Sequence, residues 1–274
     1  MRTMAFALAF LVLLPGCAAT ASAPPVAADT PPSIAQGTSP FPPGYLGGGA
    51  LPGGLDLVPP PPAEGSAALA RDKEGAAAAV TLRGSPRWDL ATADADLHPG
   101  RPAAAFSCTA GFPIDKDHAP ALDRLLGRAM VDLGMATGEV KKRYMRARPF
   151  MENGQPSCTP DREDVLRRDG SYPSGHSSIG YGTSLILAEI LPDRAAALVA
   201  RGRAFGDSRR ICNAHWLSDI EEGRVVATAT VMRLNADPSF AADLAAARAE
   251  AAKLRAQPAA DMPDCAKEAQ ALAR

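Results

Sequence analysis

From Leu122 onward, apolar residues recur at Leu125, Leu126, Ala129, Met130 and Leu133. This i, i+3, i+4 spacing places them on one face of a helix. Residues 183–191 are apolar nearly all round, as a central buried helix would be. Residues 195–205, 220–234 and 240–254 carry further helical patterns. Alternating runs of the kind a half-buried strand needs are absent, and there is no internal repeat. The pattern restricts the folded part to an all-α helical bundle, a single domain of about six to eight helices of ordinary length.

That domain does not begin at the N-terminus. Arg2 precedes an eleven-residue apolar run, residues 4–14, of the length of a signal-peptide core. The run is too short to span a bilayer, and no later segment offers 18 uninterrupted apolar residues. Two cleavage outcomes stand side by side. Ala-x-Ala sites at Ala19–Ala21 and Ala21–Ala23 suit ordinary signal peptidase, whereas Leu14-Pro15-Gly16-Cys17 resembles a lipobox that would make Cys17 an outer-membrane lipid anchor. Residues 24–62 then hold 12 of the 26 prolines, seven glycines, two acids (Asp29 and Asp56) and no Lys or Arg. Such a stretch is expected to be a disordered, extended tether, with 57–62 lying against the start of the domain. The expected division is a signal peptide over 1–23, a linker over 24–60, a folded domain over 61–257 and a tail over 258–274. The location implied is periplasmic or secreted, with lipid anchoring if Cys17 is the mature N-terminus.

Charge and cysteine usage narrow the function. With 29 Lys and Arg against 30 Asp and Glu, the chain lacks the basic excess that binding a nucleic-acid polymer requires. Setting Cys17 aside, Cys108, Cys158, Cys212 and Cys265 are an even set in an exported protein. Two disulfides in one of three connectivities are expected, the alternative being free buried thiols.

Three clusters interrupt the helical background. Residues 141–149 read Lys-Lys-Arg-Tyr-Met-Arg-Ala-Arg-Pro. Seven-residue spacing puts Lys141 and Arg148 on one helix stripe with Tyr144 and Met145, leaving Lys142, Arg143 and Arg146 to meet water. Pro149 is expected to end that helix at Arg148. Taken alone, the run is a solvated basic face. Residues 170–176, Gly-Ser-Tyr-Pro-Ser-Gly-His, precede the buried helix, and a small-residue turn there presents free N–H groups to an anion. Its structural reading is a plain N-cap at Ser174. Finally, Ser208-Arg209 is followed by His215 and Asp219, neighbours on a helix face, so that a carboxylate can fix the imidazole tautomer. Alone, that pair is an ordinary surface contact.

In order the chain reads Lys141-x6-Arg148-Pro149, then Pro173-Ser174-Gly175-His176, then Ser208-Arg209-x5-His215-x3-Asp219. This resembles the three-part signature of the phosphatidic acid phosphatase type 2 (PAP2) and vanadium haloperoxidase superfamily. Residues 170–176 and the run from Ile211-Cys212 to His215-Trp216 look like those of the bacterial class A non-specific acid phosphatases. The resemblance implies hydrolysis of small phosphate monoesters with no metal and no cofactor. It assigns Lys141, Arg148 and Arg209, with Ser174 and the Gly175 amide, to the phosphate oxygens. His215 becomes the nucleophile, Asp219 its orienter, and His176 the acid that protonates the leaving group. It further implies a Cys158–Cys212 pair, leaving Cys108 with Cys265 to pin the tail, and a homo-oligomer. His98 and His118 lie outside the motifs and are expected at the surface.

The sequence departs from the family pattern at Ser177, where Thr is common, and at Asp207, where a neutral residue is common. Asp207 is expected to bring negative charge near the phosphate-binding cations. Other readings fit the motifs less well: a membrane lipid phosphatase would need transmembrane helices, and the sequence offers none. A vanadium-dependent haloperoxidase would use the same cations for vanadate, but such enzymes are generally much longer. A non-catalytic envelope lipoprotein would not need every signature residue.

Overall fold

Six long helices carry most of the buried apolar surface. In the computed structural model, which describes residues 40–47, 51–52, 54–257, 262 and 264–273, the chain runs through α1 (Gly54–Leu57), α2 (Ala67–Val80), α3 (Pro86–Ala93), α4 (Arg101–Ala104), α5 (Ser107–Ala110), α6 (Pro120–Met135) and α7 (Gly138–Tyr144). It continues through α8 (Pro149–Asn153), α9 (Glu163–Leu166), α10 (Gly175–Ile190), α11 (Ala195–Ile211), α12 (Leu217–Leu234), α13 (Pro238–Arg255) and α14 (Asp264–Leu272). Short 3-10 turns at Pro160–Arg162 and Pro192–Arg194 precede α9 and α11. The described residues contain no strand, so the chain is all-α as its periodicity requires.

Local chemistry sets the helix starts. Ser66 and Ser85 cap α2 and α3 by accepting from Leu69 N and Trp88 N, and Asp237 caps α13 by accepting from Ser239 N and Phe240 N. Pro86 and Pro238 sit at the first helical position, where no amide is missed. The six apolar residues of the 122–133 stripe are all buried, on α6. Helix α10 is buried on nearly every side and packs among α6, α11 and α12. The expected segments 195–205, 220–234 and 240–254 lie within α11, α12 and α13, and 183–191 lies in α10 up to Ile190, with Leu191 as the C-cap.

Sequence periodicity missed α2, α3 and α14. Helix α2 is Ala-rich, with only Asp72, Ala76 and Ala79 buried, so its apolar stripe is too thin to read. Helix α14 buries only Ala271 and is held otherwise. A Cys108–Cys265 disulfide with Cα atoms 5.3 Å apart ties it to α5, and Glu268 accepts from Arg201 Nε at 3.0 Å. The second disulfide joins Cys158 and Cys212, Cα atoms 4.8 Å apart. Both pairs are those the resemblance implied.

The signal-peptide and lipobox readings lie outside the described residues, as does the first part of the linker. From residue 40 the chain differs from a free tether. Asp132 is buried on α6 and accepts from the amides of Tyr45 (2.6 Å) and Leu46 (3.2 Å). Arg128 stacks 3.7 Å from the Tyr45 ring centre. Val58 packs with Ala136, Val140, Tyr172 and Val226, and Tyr172 Oη donates to the Pro59 carbonyl at 2.7 Å. Low charge and high proline content disfavour long helices, and this stretch forms only the four-residue α1, but they do not exclude a segment that is strapped to its neighbours.

Candidate active site

The three sequence clusters converge at the ends of α7, α10 and α12. Helix α7 stops at Tyr144, where Met145 adopts a left-handed φ of 41°. The chain is then extended at Arg148 (φ −91°, ψ 156°), the geometry a following proline enforces, and Pro149 opens α8. Lys141 and Arg148 therefore do not share a helix stripe. They reach the same place from successive elements, because both are drawn to residues 169 and 170. Lys141 Nζ donates to Asp169 Oδ2 at 3.1 Å and to the Gly170 carbonyl. Arg148 Nη2 donates to the same Asp169 oxygen at 3.1 Å. A Cβ at Gly170 would lie 2.6 Å from the Lys141 carbonyl, so the two segments approach this closely only with glycine there.

Arg209 comes from the last turn of α11, and its carbonyl accepts from the amides of Ala214 (3.0 Å) and His215 (3.2 Å). The turn that carries His215 is fastened further. Asn213 Nδ2 donates to Gln155 O at 2.7 Å, Phe150 N donates to Asn213 O at 3.1 Å, and the Cys158–Cys212 bridge closes the loop. His215 is 2% exposed.

Donor and acceptor chemistry settles the His215 tautomer. Arg148 Nη1 lies 3.0 Å from His215 Nε2, and a guanidinium can only donate, so Nε2 carries a lone pair. The proton sits on Nδ1, which faces Asp219 Oδ2 at 3.3 Å. That oxygen also accepts from Trp216 N at 2.8 Å. Its partner Oδ1 accepts from Arg146 Nη1 at 2.7 Å, and Arg146 Nη2 donates to the buried Asp72 at 2.8 Å. Arg146 is thus enclosed in the site rather than meeting water.

Ser174 caps α10, accepting from Ser177 N at 3.2 Å, and its own amide donates to the Asp219 carbonyl at 2.8 Å. His176 Nε2 lies 3.1 Å from the Ala95 carbonyl, which can only accept. In the neutral ring Nε2 holds the proton and Nδ1 is left with its lone pair.

The electrostatics describe cations short of an anion. Burial, then the Arg148 charge, lowers Lys141 to about 8. Burial, then Arg148, lowers Arg209 to about 9. Burial, then Arg148, Lys141 and Arg209, holds His215 well below the ordinary histidine range, so the ring is neutral. Burial and the Arg209 charge do the same to His176. Burial pushes Asp219 up, opposed first by Arg146 and then by the Trp216 amide. Among the described residues, Arg209 Nε and Arg224 Nε are the buried side-chain polar atoms without a hydrogen-bond partner. A buried guanidinium with an unspent donor, beside two further cations, is a receptor for an anion.

Residues 125–239 match the PAP2 superfamily model. The chain is 41% identical over 201 residues to an "Acid phosphatase" of Zymomonas mobilis, covering 73% of this chain and 76% of that one. It is 41% identical to a "Non-specific acid phosphatase" of Providencia stuartii, covering 73% and 82%, and 41% identical to one of Salmonella typhimurium, covering 70% and 78%. The chain belongs to the bacterial non-specific acid phosphatases of the PAP2 superfamily. Every PAP2 signature position singled out in the sequence (Lys141, Arg148, Ser174, Gly175, His176, Arg209, His215 and Asp219) falls in this one region. Asp207 does not reach the phosphatase cations as expected. Its carboxylate accepts from Arg210 Nε at 2.8 Å and lies 3.9 Å from Arg87, an arrangement that spends its charge on the outer side of α11. His98 and His118 are exposed and bonded to Asp96 and Asp115. Asp72, 74 residues from its partner Arg146, and Asp169 carry no local signal of their place here.

Proposed function

We propose that this chain is an exported, metal-independent phosphatase that cleaves small phosphate monoesters through a phosphohistidine on His215. One observation carries the reading: a buried neutral imidazole, its Nδ1 proton directed at Asp219, turns its Nε2 lone pair to Arg148, in a cluster with Lys141 and with Arg209, whose buried Nε has an unspent donor. Lys141, Arg148 and Arg209 hold the equatorial phosphate oxygens, with Ser174 Oγ and the Gly175 amide, and stabilise the charge that builds on them. The two arginines bind as forks and the lysine as a point charge.

In the first half-reaction His215 Nε2 bonds to phosphorus as the P–O ester bond breaks, and His176 gives a proton to the departing alkoxide. In the second, His176 takes a proton from water, whose oxygen bonds to phosphorus as the P–N bond breaks, releasing inorganic phosphate. Asp219 compensates the positive charge on His215 between the steps. A phosphate dianion among the cations offsets the charges that keep His176 neutral and returns it to its acid form. Export rests on the apolar run at residues 4–14 and agrees with two disulfides. Homo-oligomer formation and a lipid at Cys17 are parts of the same proposal.

The test is hydrolysis of p-nitrophenyl phosphate in EDTA by wild type and His215→Ala. Activity that survives the chelator and vanishes in the variant supports the mechanism, whereas loss in EDTA refutes metal independence. The quenched phosphoenzyme should be acid-labile and alkali-stable, as a phosphoramidate is; the opposite lability would place the phosphoryl group on Asp219.

A further inference from the structure

We propose that the Asp169 carboxylate is a built-in competitor for the phosphate site, occupying two of its three cations until a phosphate group displaces it. The inference rests on the phosphatase reading and concerns a residue outside the PAP2 signature. One oxygen, Asp169 Oδ2, receives Lys141 Nζ and Arg148 Nη2, each at 3.1 Å. Two cations converging on one anionic oxygen is the contact that a phosphate oxygen would make with the same pair.

Asp169 does not hold those cations in place. Arg148 is fixed by backbone carbonyls, with Nε on Leu166 O at 2.9 Å, Nη1 on Ala214 O at 3.0 Å and Nη2 on Asp169 O at 3.1 Å. Lys141 is fixed by the Gly170 carbonyl. With the carboxylate gone, both side chains keep their partners. Asp169 is also free to leave: its side chain is 50% exposed, against 1% for Arg148, so turning it into water costs little desolvation. Arg209, the third cation, has no carboxylate bonded to it, and it is the one with an unspent buried donor.

Displacement makes the site selective for ligands that outbid a monoanionic carboxylate, which favours the phosphate dianion over singly charged anions. It also lowers apparent affinity, because only the fraction of molecules with Asp169 turned out is competent. The same exchange hastens loss of product phosphate. Asp169 is therefore a specificity and release residue that acts on the binding cations and never on the reacting atoms.

The experiment measures binding of inorganic phosphate to the full chain by titration calorimetry at fixed pH and ionic strength. It compares wild type, Asp169→Asn and Asp169→Ala, with thermal unfolding of each as a check on the fold. A tenfold preference for the docked carboxylate gives a Kd about tenfold lower in both variants. In stopped-flow displacement by vanadate, phosphate should leave the variants more slowly. Unchanged or weaker phosphate binding in both variants overturns the inference: the first makes Asp169 a bystander, the second an anchor of the cations. Should one variant fold poorly, the other decides, because the two remove the charge with different side chains. If wild type binds no phosphate, the phosphatase reading falls together with the inference. If wild type binds and the variants do not bind tighter, the inference falls alone.

Discussion

Arg146 Nη1 donates to Asp219 Oδ1 at 2.7 Å, and its second arm donates to Asp72 Oδ2 at 2.8 Å, with both carboxylates fully buried. Asp72 in turn accepts from the amide and hydroxyl of Ser218. The carboxylate that sets the His215 tautomer is itself set by a guanidinium between two acids. Removing one partner of a buried pair leaves the other charge uncompensated, so Arg146→Ala should cost about 3–5 kcal/mol in urea unfolding. Turnover of p-nitrophenyl phosphate should fall about a hundredfold with KM nearly constant, the effect of misplacing a group that acts on the proposed nucleophile. Arg146→Lys restores a charge but not the fork and should recover only part of either. Unchanged turnover in the Ala variant would show that Asp219 keeps its orientation without Arg146.

Lys141 predicts the alkaline limit of phosphate binding. Burial and Arg148 bring its ammonium from 10.5 to about 8, so it loses its proton, and its hold on a dianion, as pH rises through that value. Phosphate inhibition should weaken above it. Lys141→Arg keeps its charge throughout and should flatten this loss, read as the ratio of inhibition constants either side of about pH 8. Stability moves the other way. Between about 8 and 10.5 the unfolded lysine holds a proton that the folded one has released, so this group makes the ligand-free protein more stable as pH rises through that window. A limb that is identical in wild type and the Arg variant would assign the alkaline limit to another group.

Local pattern carried most of the fold, and chemistry-bearing spacing carried most of the site. The α6 stripe and the apolar α10 are legible because burial imposes a period on side chains. The signature residues are legible because three short motifs sit in register. What stayed hidden depends on contacts across the chain. Arg146 looks solvated on a helix that would continue to Arg148; it is largely enclosed because that helix stops at Tyr144. Asp72 and Asp219 meet it only through the packing of α2 on α12. Asp207 sits beside a motif residue in sequence yet is turned away from the cations by Arg210 and Arg87.

The C-terminal helix should come free before the rest. Helix α14 depends on the Cys108–Cys265 bridge and on Glu268 meeting Arg201, which itself grips Asp94 with Nη1 and Nη2 at 3.1 and 2.6 Å. With its cysteines 157 positions apart in sequence, the bridge is worth about 5 kcal/mol in the loop-entropy model. In a Cys108→Ser, Cys265→Ser variant, hydrogen exchange should rise first over residues 264–272 while α10 keeps its protection. Uniform loss of protection would instead make α14 part of one cooperative unit with α10.

Gly223 shows how close packing places the Ser174–Gly175 turn. A Cβ at this position on α12 would lie 2.6 Å from the Ser174 carbonyl and 2.9 Å from Ser177 Cβ. The same turn is tied to α12 by the Ser174 amide on the Asp219 carbonyl at 2.8 Å, so it cannot retreat without disturbing the residue that orients His215. Gly223→Ala should therefore overpack the contact, at a cost of about 1–3 kcal/mol. It should also raise KM if Ser174 and Gly175 hold the phosphate as proposed, by moving them off it. Gly138, at the start of α7, is the matched control, because a Cβ there meets nothing within 4 Å. Gly138→Ala should stabilise by about 0.4–1 kcal/mol through the unfolded chain and leave KM unchanged. The paired readings of Tm and KM separate a general effect of alanine in a helix from displacement of the turn. A Gly223→Ala enzyme with wild-type KM would mean that the turn is held by its cap alone.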